Sequence, residues 1–416
     1  MTLTPDRVEQ TRAPGRGERL RLIVVLGSLI ALGPLTIDMY LPALPTITTE
    51  LMTTSATVQL TLTGTLIGLA FGQLAIGPLS DAFGRKRPLL IGTGLHVVSS
   101  LLCVIAPNIY VLGGLRVLQG VGAAAGAVIA LAMVRDLYTG RAAATLLSRL
   151  ILVMGAAPVI APTLGGALLS VTSWRGVFAA LAAFGLLLIP VAAAGLPETL
   201  PPSRRRTAGL AGTVRDYGAL FGDRAFVGLV IVAGLAMSAL LGYISGSSFV
   251  FQEQYGLDQQ QFGLVFGSGA IWLIAATQAN PVLLRWFGPR QILTTAVAAG
   301  AAAGVGLVLV AATGAGGLVG VLAMMWIVLF TVGFALPNAP AVALSRHGEA
   351  AGTAAALLGA VQFGIGAAIS PVVGVLGNDA LAMGTVVAGG LVLALVVLLT
   401  VVRPWTLTDL EPEPAP

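Results

Sequence analysis

Long apolar runs without a charge alternate along the chain with short polar stretches. A helix that crosses the ~30 Å hydrocarbon core of a bilayer needs about 20 mostly apolar residues. Runs of that length predict twelve membrane-spanning helices, here spans 1 to 12, at residues 22–42, 57–79, 88–106, 110–133, 144–170, 174–195, 225–250, 260–283, 291–312, 317–344, 351–376 and 380–402. The uncharged stretch 291–345 is long enough for two spans, and the glycine-rich segment 313–317 is the predicted turn between them.

The polar stretch in the middle of the chain divides the twelve spans into two sets of six. The predicted organisation is an N-terminal tail, a first half, a linker, a second half and a C-terminal tail, at residues 1–21, 22–195, 196–224, 225–402 and 403–416. The predicted fold class is therefore an all-α membrane protein with two six-helix halves. The first apolar run is too long for the core of a signal peptide, so we expect it to remain as span 1.

The basic residues predict the orientation of the spans. Twelve spans place both termini and the loops after spans 2, 4, 6, 8 and 10 on one side of the membrane. Of the 22 basic residues, all but Arg116 and Arg175 fall on that side. Short cytoplasmic loops carry an excess of Lys and Arg. We therefore expect a multi-pass protein of the cell membrane with both termini in the cytoplasm.

Composition supports the membrane prediction and excludes several classes of function. Hydrophobic residues make up 56% of the chain and charged residues only 9%, against about 25% charged in soluble domains. The net charge of +5 comes from basic residues in the loops, where they set the orientation of the spans. We therefore expect no nucleic-acid partner. One Cys and two His are too few for an internal disulfide or a metal cluster. We expect neither a metal nor another cofactor.

Two charged residues lie well inside the predicted spans. Asp38 comes four residues before Pro42, which places it ~6 Å from the outer end of span 1. Arg116 lies about six residues into span 4, which places it ~9 Å deep from the same face. Charges at such depth are costly, so they usually pair or line a water-filled path. We expect Asp38 to carry a proton and Arg116 to tune it, whereas a purely structural ion pair is the alternative.

Span 4 also presents a polar and small-residue face. Gln119, Ala123 and Gly126 follow Arg116 at helical spacing, so they share its side of the helix. Small residues allow another helix to approach closely, and the same face can line a cavity. Tight packing alone accounts for the glycines but not for the arginine.

A cluster of charges is predicted on the cytoplasmic side. Its members follow span 2 and end span 4: Asp81, Gly84, Arg85, Arg135 and Asp136. Topology alone requires only basic residues in these loops, whereas the two acids suggest defined ion pairs. Exposed ion pairs contribute only ~0–1 kcal/mol each, which suits a gate between two conformations.

Span 5 contains an unusual run of prolines and glycines in its outer half. The run comprises Gly155, Pro158, Pro162, Gly165 and Gly166. Proline removes a backbone hydrogen bond and bends a helix, and glycine admits a neighbouring helix. We expect a bent helix that packs closely on another span; a static kink is the alternative.

These motifs together resemble those of a known family, the major facilitator superfamily. The loop 77–88 is similar to the superfamily signature G-x-L-x-D-x-x-G-R-[KR], and Arg116 with Gln119 and Gly120 matches the span-4 motif of proton-coupled members. The run 155–166 resembles the span-5 motif of exporters, although Ala161 replaces its usual glycine. Segments 37–45 and 134–138 look like signatures of the bicyclomycin- and chloramphenicol-exporter branch of the drug:proton antiporters.

This resemblance implies a proton-driven exporter of small, fairly apolar drugs, acting by alternating access of two halves. Its expected partners are the drug-like substrate, protons and the lipid bilayer, and we expect a functional monomer. A proton-coupled importer of a metabolite is the alternative. An enzyme would need a nucleophile with a base or a metal cluster, which the spans do not offer. The candidate substrate-cavity residues are Tyr40, Gln119, Tyr243, Trp272, Asn338 and Gln362.

Overall fold

The computed structural model describes residues 16–138, 140–205, 218, 220–345 and 351–406. These ranges hold twelve helices that are long and apolar enough to cross a membrane and no strand, which confirms the predicted fold class. Spans 1 to 12 are Leu20–Glu50, Ser55–Phe83, Lys86–Val104, Ile109–Leu137, Thr145–Leu169, Trp174–Gly195, Arg224–Gln254, Gln259–Leu283, Pro289–Thr313, Gly317–Leu344, Ala354–Val375 and Ala380–Thr406. The predicted tails and linker lie partly outside the described residues.

Several spans are composite or extend beyond the bounds given. Span 5 belongs to the helix Gly140–Leu169, and span 7 joins the helix Arg224–Phe249 to a π-helical turn, Val250–Gln254. Span 11 consists of the helices Ala351–Ile369 and Val372–Val375. Span 12 consists of the helix Ala380–Val397, a π-helical turn and a 3₁₀ turn, the last two at Leu398–Val402 and Pro404–Thr406.

Span 1 is longer than the sequence predicted, and it is broken. Its first helix, Arg16–Asp38, is followed by a 3₁₀ turn at Leu41–Ala43 and a second helix, Leu44–Glu50. Each of the two prolines, Pro42 and Pro45, stands in the first turn of the helical piece that it belongs to. Proline is well accepted there, because the first N–H groups of a helix have no intrahelical partner. The prolines therefore restart the span rather than end it.

This extension corrects the predicted depth of Asp38. Twelve residues separate Asp38 from Glu50 at the end of the span, which corresponds to up to about 18 Å of helix rather than ~6 Å. Asp38 is accordingly 2% exposed. It lies deep in the span, at the point where the helix breaks.

Eight spans form a closed ring, in the order 2, 4, 1, 5, 8, 10, 7, 11 and back to 2. Spans 3 and 6 pack outside spans 4 and 1, and spans 9 and 12 pack outside spans 10 and 7. Each of these contacts between two spans among spans 1 to 6 has a counterpart between the spans whose numbers are six higher; for example, span 2 packs on span 4 as span 8 packs on span 10. The twelve spans are therefore two equivalent groups, a first half (spans 1–6) and a second half (spans 7–12), that meet at two seams.

The seams are formed by span 5 against span 8 and by span 2 against span 11. We call the face of the protein at which the described chain begins and ends the proximal face, and the opposite face the distal face. A Cβ on Gly263 of span 8 would lie 2.8 Å from the carbonyl oxygen of Pro162, and one on Gly374 of span 11 would lie 2.7 Å from the Cα of Ala56. Backbone therefore meets backbone at both seams near the distal ends of the spans, which closes the distal face.

The proline–glycine run of span 5 lies at this closure. A Cβ on Gly165 would strike the carbonyl oxygen of Met39 in the break of span 1, and one on Gly166 would strike Gln259 at the start of span 8. Gly155 lies against the side chain of Ile274, and Pro158 and Pro162 are inside the helix. Span 5 thus packs closely as expected, but on two neighbours, one from each half.

The seam between spans 5 and 8 can be tested by adding volume to it. In Gly263→Val the new side chain forces the Pro162 backbone away. We expect this overpacking to destabilise the distal-closed state by about 1–3 kcal/mol. A cysteine placed at the distal end of span 8 should then react faster with a membrane-impermeant maleimide. Gly94→Val is the matched control, because a Cβ on Gly94 meets nothing within 4 Å. Equal labelling of the two variants would contradict the proposed seal.

Candidate functional site

The break in span 1 exposes backbone carbonyls that other spans satisfy. Arg116 Nη1 of span 4 donates to the carbonyl of Thr36 at 2.9 Å. From span 7, Ser248 Oγ donates to the carbonyl of Leu41 at 2.6 Å and Gln252 Nε2 to that of Pro42 at 3.3 Å. The Leu41 carbonyl also accepts from the backbone N–H of Leu44 within span 1. An unpaired carbonyl inside a bilayer costs several kcal/mol, so these contacts from other spans help to hold the break in place. Span 1 is thereby tied to both halves of the protein.

Asp38 closes the first helix of span 1 and is almost completely buried. Among the described residues its Oδ1 atom has no hydrogen-bond partner. Asp38 lies within electrostatic range of Tyr243 of span 7, a residue of the second half. Asp38 is thus a buried carboxyl with an unsatisfied oxygen, placed between the two halves.

Arg116 is fully buried and does not pair with Asp38 in this structure, so the structural ion pair that was the alternative interpretation is absent. The guanidinium is engaged elsewhere: its Nη1 also donates to Gln119 Oε1 at 2.7 Å. Its Cζ lies 4.5 Å from the centroid of the Tyr40 ring, which allows a cation–π contact. Its Nε and Nη2 atoms lack a hydrogen-bond partner in the described part of the chain. The side chain therefore keeps two unused donors.

The six predicted cavity residues occupy different environments. Tyr40 and Gln119 are packed inside the first half, where Tyr40 bonds to Thr61 and Gln119 to Ser100, at 2.9 and 2.8 Å. In the second half Tyr243 stacks on Phe266, with ring centroids 5.0 Å apart, and Gln362 is buried in span 11. The structure does not bring the six together in one lining.

Two of the predicted cavity residues point to other roles. Asn338 Nδ2 of span 10 donates to Asn280 Oδ1 of span 8 at 2.6 Å, so this amide joins two spans of the same half. Trp272 is 43% exposed and stacks on Trp326 of span 10. It comes nine residues after Gly263, about 180° around span 8, and hence on the opposite side from the span-5 seam. Trp272 therefore faces the perimeter of the ring, where a large aromatic side chain meets lipid.

An amide on span 2 that the sequence did not single out joins the halves at the distal face. Gln59 Nε2 donates to the carbonyl of Ser245 at 3.2 Å and to Asn378 Oδ1 at 2.8 Å, and its Oε1 accepts from the backbone of Gly374 at 2.9 Å. All three partners belong to the second half. A buried amide in an apolar run is the only signal in the sequence, and it does not name the partners.

At the proximal face, Arg85 forms the centre of a charge cluster. Its guanidinium bonds to Asp81 and Ser80 at the end of span 2 and, at 2.8 Å, to Asp136 at the end of span 4. Burial alone would lower the pKa of Arg85, but the hydrogen bonds and charges of Asp136 and Asp81 outweigh it and raise that pKa above its ordinary value. The predicted contact between the two loops is therefore present.

Arg135 departs from this prediction. It is exposed and forms no ion pair within the described ranges. Successive residues of a helix point about 100° apart, and Asp136 is the one that faces Arg85. The cluster is thus built on Asp81, Arg85 and Asp136.

Glu198, beyond span 6, belongs to the same cluster and was not predicted. Its carboxylate accepts from the backbone N–H groups of Arg85, Lys86 and Leu200, at 2.8, 3.2 and 3.1 Å. Gly84 is required beside it, because φ is +87° and a Cβ would lie 2.5 Å from Glu198 Oε2. The adjacent Thr199 donates to Asp136 at 2.8 Å. The segment 196–205 thus lies across the loop between spans 2 and 3 and ties it to span 4.

The electrostatics of Glu198 follow from these contacts. Its partial burial would raise the pKa, but the three backbone N–H groups and nearby Arg205 together hold the pKa of Glu198 below its ordinary value. A carboxyl with a depressed pKa contributes stability that is complete above its unfolded pKa and is lost as pH falls through the folded one. At neutral pH the Glu198 contacts are therefore fully present.

The fold and these motifs are those of a membrane transporter. Residues 26–371 match the sequence profile of the Major Facilitator Superfamily. The chain belongs to this superfamily, whose members transport small molecules and are not enzymes.

Relatives and a solved structure refine this assignment. The chain is 38% identical to the uncharacterized MFS-type transporter YdgK of Bacillus subtilis, over 90% of this chain and 93% of that one. It is 31% identical to a bicyclomycin resistance protein homolog of Haemophilus influenzae, over 84% and 88%. The resemblance to the bicyclomycin- and chloramphenicol-exporter branch is thereby confirmed. The partially occluded inward-open xylose transporter XylE of E. coli has the same fold, with a TM-score of 0.72, 13% identity and coverage of 96% and 100%.

The proximal cluster predicts a graded response to loss of its acids. Asp136→Asn should lower transport more than Asp81→Asn, because the side chain of Asp136 is 18% exposed and that of Asp81 is 40% exposed. An exposed pair contributes at most about 1 kcal/mol, so Asp81→Asn should change the balance of conformations about fivefold or less. Transport normalised to protein level measures both. Arg87→Gln, an exposed basic residue of the same loop, is the control. Equal losses in all three variants would contradict a role for specific pairing.

Proposed function

We propose that the protein is a drug:proton antiporter that exports small, fairly apolar compounds. The observation that carries this proposal is Asp38, a buried carboxyl with an unpartnered oxygen at the break of span 1. An ionised carboxylate in this position would lack both a cation and a full set of hydrogen bonds, whereas a protonated one is tolerated. The distal-closed state therefore suits a protonated Asp38, and a deprotonated Asp38 favours rearrangement.

The position of Asp38 between the halves supports coupling of the proton to conformation. Asp38 lies within electrostatic range of Tyr243, which stacks on Phe266 in the second half. A substrate that entered between these elements would change the surroundings of the carboxyl and displace its proton. Competition between substrate and proton for one site is sufficient to couple two opposite fluxes. The cycle then needs no cofactor, since the proton gradient supplies the energy.

Alternating access in this proposal proceeds by opening the distal seams. The contacts to be broken are the backbone contacts of spans 5 and 8, those of spans 2 and 11, and the three hydrogen bonds of Gln59. The Arg85 cluster lies within the first half and its following segment, so it can persist while the seams open. It biases the positions of spans 2, 3 and 4 at the proximal face.

Orientation and direction are part of the proposal. The excess of basic residues in the proximal loops places that face in the cytoplasm by the positive-inside rule. The distal-closed state would then load substrate from the cytoplasm. The Haemophilus relative is named for bicyclomycin resistance, and the proline–glycine run of span 5 resembles the motif of exporters. Both favour export over the alternative, proton-coupled import of a metabolite by a monomer of the same fold.

The test of this proposal is Asp38→Asn. We expect this variant to insert normally and to bind substrate, but to lose efflux against a gradient and the dependence of transport on pH, because the amide cannot release a proton. Everted vesicles with an imposed pH gradient and a panel of neutral and cationic antibiotics provide the measurement. Asp38→Glu should retain part of the coupling, since it keeps a titratable group.

Glu253→Gln is the matched control for the loss of an acid. Glu253 lies on span 7 but is exposed, so its loss should leave the pH dependence unchanged. If Asp38→Asn exports substrate against a gradient with the pH dependence of the wild type, Asp38 is not the proton site. Uptake into cells driven by the proton gradient, rather than efflux, would favour the importer.

A further inference from the structure

Five residues inside the first half are joined in a closed ring of hydrogen bonds that passes through side chains and through the backbone carbonyls of Thr36 and His96. His96 Nε2 lies 2.8 Å from Thr36 Oγ1, and the Thr36 carbonyl accepts from Arg116 at 2.9 Å. Arg116 donates to Gln119, Gln119 to Ser100, and Ser100 to the carbonyl of His96, at 2.7, 2.8 and 2.7 Å. All five residues are fully buried, and they come from spans 1, 3 and 4. The ring begins two residues before Asp38.

The hydrogen atoms in this ring can be assigned from the acceptors. Thr36 Oγ1 lies 2.6 Å from the carbonyl of Leu32, which can only accept, so the Thr36 hydroxyl donates to it. The same hydroxyl must then accept from His96. His96 therefore carries its hydrogen on Nε2, and its Nδ1 atom holds a lone pair.

His96 is suited to remain in this neutral form. Its Nδ1 atom has no hydrogen-bond partner in the described chain and lies about 3.5 Å from the position a Cβ would take on Gly185 of span 6. A second proton on Nδ1 would thus be a buried donor without an acceptor, which is costly. The charged or titratable groups around the ring are Arg116 on span 4, Tyr40 and Asp38 on span 1 and Cys103 on span 3. The positive charge of Arg116 also disfavours an imidazolium. His96 is a fixed donor rather than a proton carrier.

We propose that His96 is a positioning residue for the proton site, and this inference rests on the proposed function of Asp38. By donating to Thr36, His96 fixes the last turn of the first helix of span 1. The Thr36 carbonyl then stays where Arg116 can reach it, so the guanidinium is held on the backbone and apart from Asp38. His96 thereby acts on Asp38 through two other residues, without touching it.

Loss of this donor has a consequence that simple destabilisation does not have. A released Arg116 has two unused donors, Nε and Nη2, and Asp38 has an unused acceptor, Oδ1. Their contact would favour the charged carboxylate. The pH at which transport is half-maximal should therefore move toward acid, by about one pH unit for a direct contact between an acid and an arginine.

The experiment compares two pairs of variants in the full-length protein, reconstituted in vesicles with an exported antibiotic. His96→Leu and Thr36→Val each remove the hydrogen bond, and both should shift the pH midpoint of efflux toward acid. His96→Gln and Thr36→Ser each keep it, since the glutamine amide can donate from the same distance along the side chain. These two should have the wild-type midpoint.

The outcomes separate the two proposals. Wild-type efflux without pH dependence would refute the proton site itself, and the role of His96 with it. A pH-dependent wild type with an unshifted midpoint in folded His96→Leu, or a shifted midpoint in His96→Gln, would overturn the positioning role alone. If His96→Leu does not accumulate, the Thr36 pair decides: a shift in Thr36→Val but not in Thr36→Ser supports the proposal, and no difference between them overturns it.

Discussion

The organisation of this protein depends on one constraint, that backbone groups inside a bilayer must find partners within the protein. Span 1 breaks after Asp38, and the carbonyls of Thr36, Leu41 and Pro42 accept hydrogen bonds from spans 4 and 7. Because these donors come from both halves, the break is also a junction. The buried acid lies at that junction, so a change in its charge acts where the halves meet. A continuous helix would have offered no such connection.

The two faces of the molecule are held together by different physics. At the distal face, glycines let backbones touch, and these contacts lose about a quarter to a half of their energy within an ångström of separation. At the proximal face, Arg85, Asp136 and Glu198 interact through charges and charge-assisted hydrogen bonds, which weaken more gradually with distance. The distal seams are therefore suited to open completely, whereas the proximal cluster can lengthen its contacts and still attract.

Much of the fold could be predicted, because it follows from quantities that a sequence contains directly. The number of spans follows from the lengths of the apolar runs. The contact of Arg85 with Asp81 and Asp136 could be predicted because the membrane orientation requires only basic residues in these loops, so the two acids indicated ion pairs. Gln119 was predicted on the same face as Arg116, but the other partner of Arg116 could not be predicted, because it is a backbone carbonyl freed by the break in span 1. Pro42 suggested an end where the helix in fact restarts. Gln59 and Glu198 were missed for a related reason, since their partners are mainly backbone groups and a sequence pattern names only side chains.

The buried acid at the break of span 1 also has an electrical consequence. Arg116 is a fixed positive charge inside the low-dielectric region, and among the described residues it has no ion-pair partner, so the charge that changes during the proposed cycle is that of Asp38. In the proposed cycle, a neutral compound exchanged for one proton moves one net charge across the membrane, whereas a monovalent cation exchanged for one proton moves none. Each elementary charge that crosses is worth about 2.3 kcal/mol per 100 mV of membrane voltage. Voltage would therefore drive the export of neutral compounds and leave that of cations to the chemical gradients, so the charge of the substrate determines which part of the proton-motive force is used.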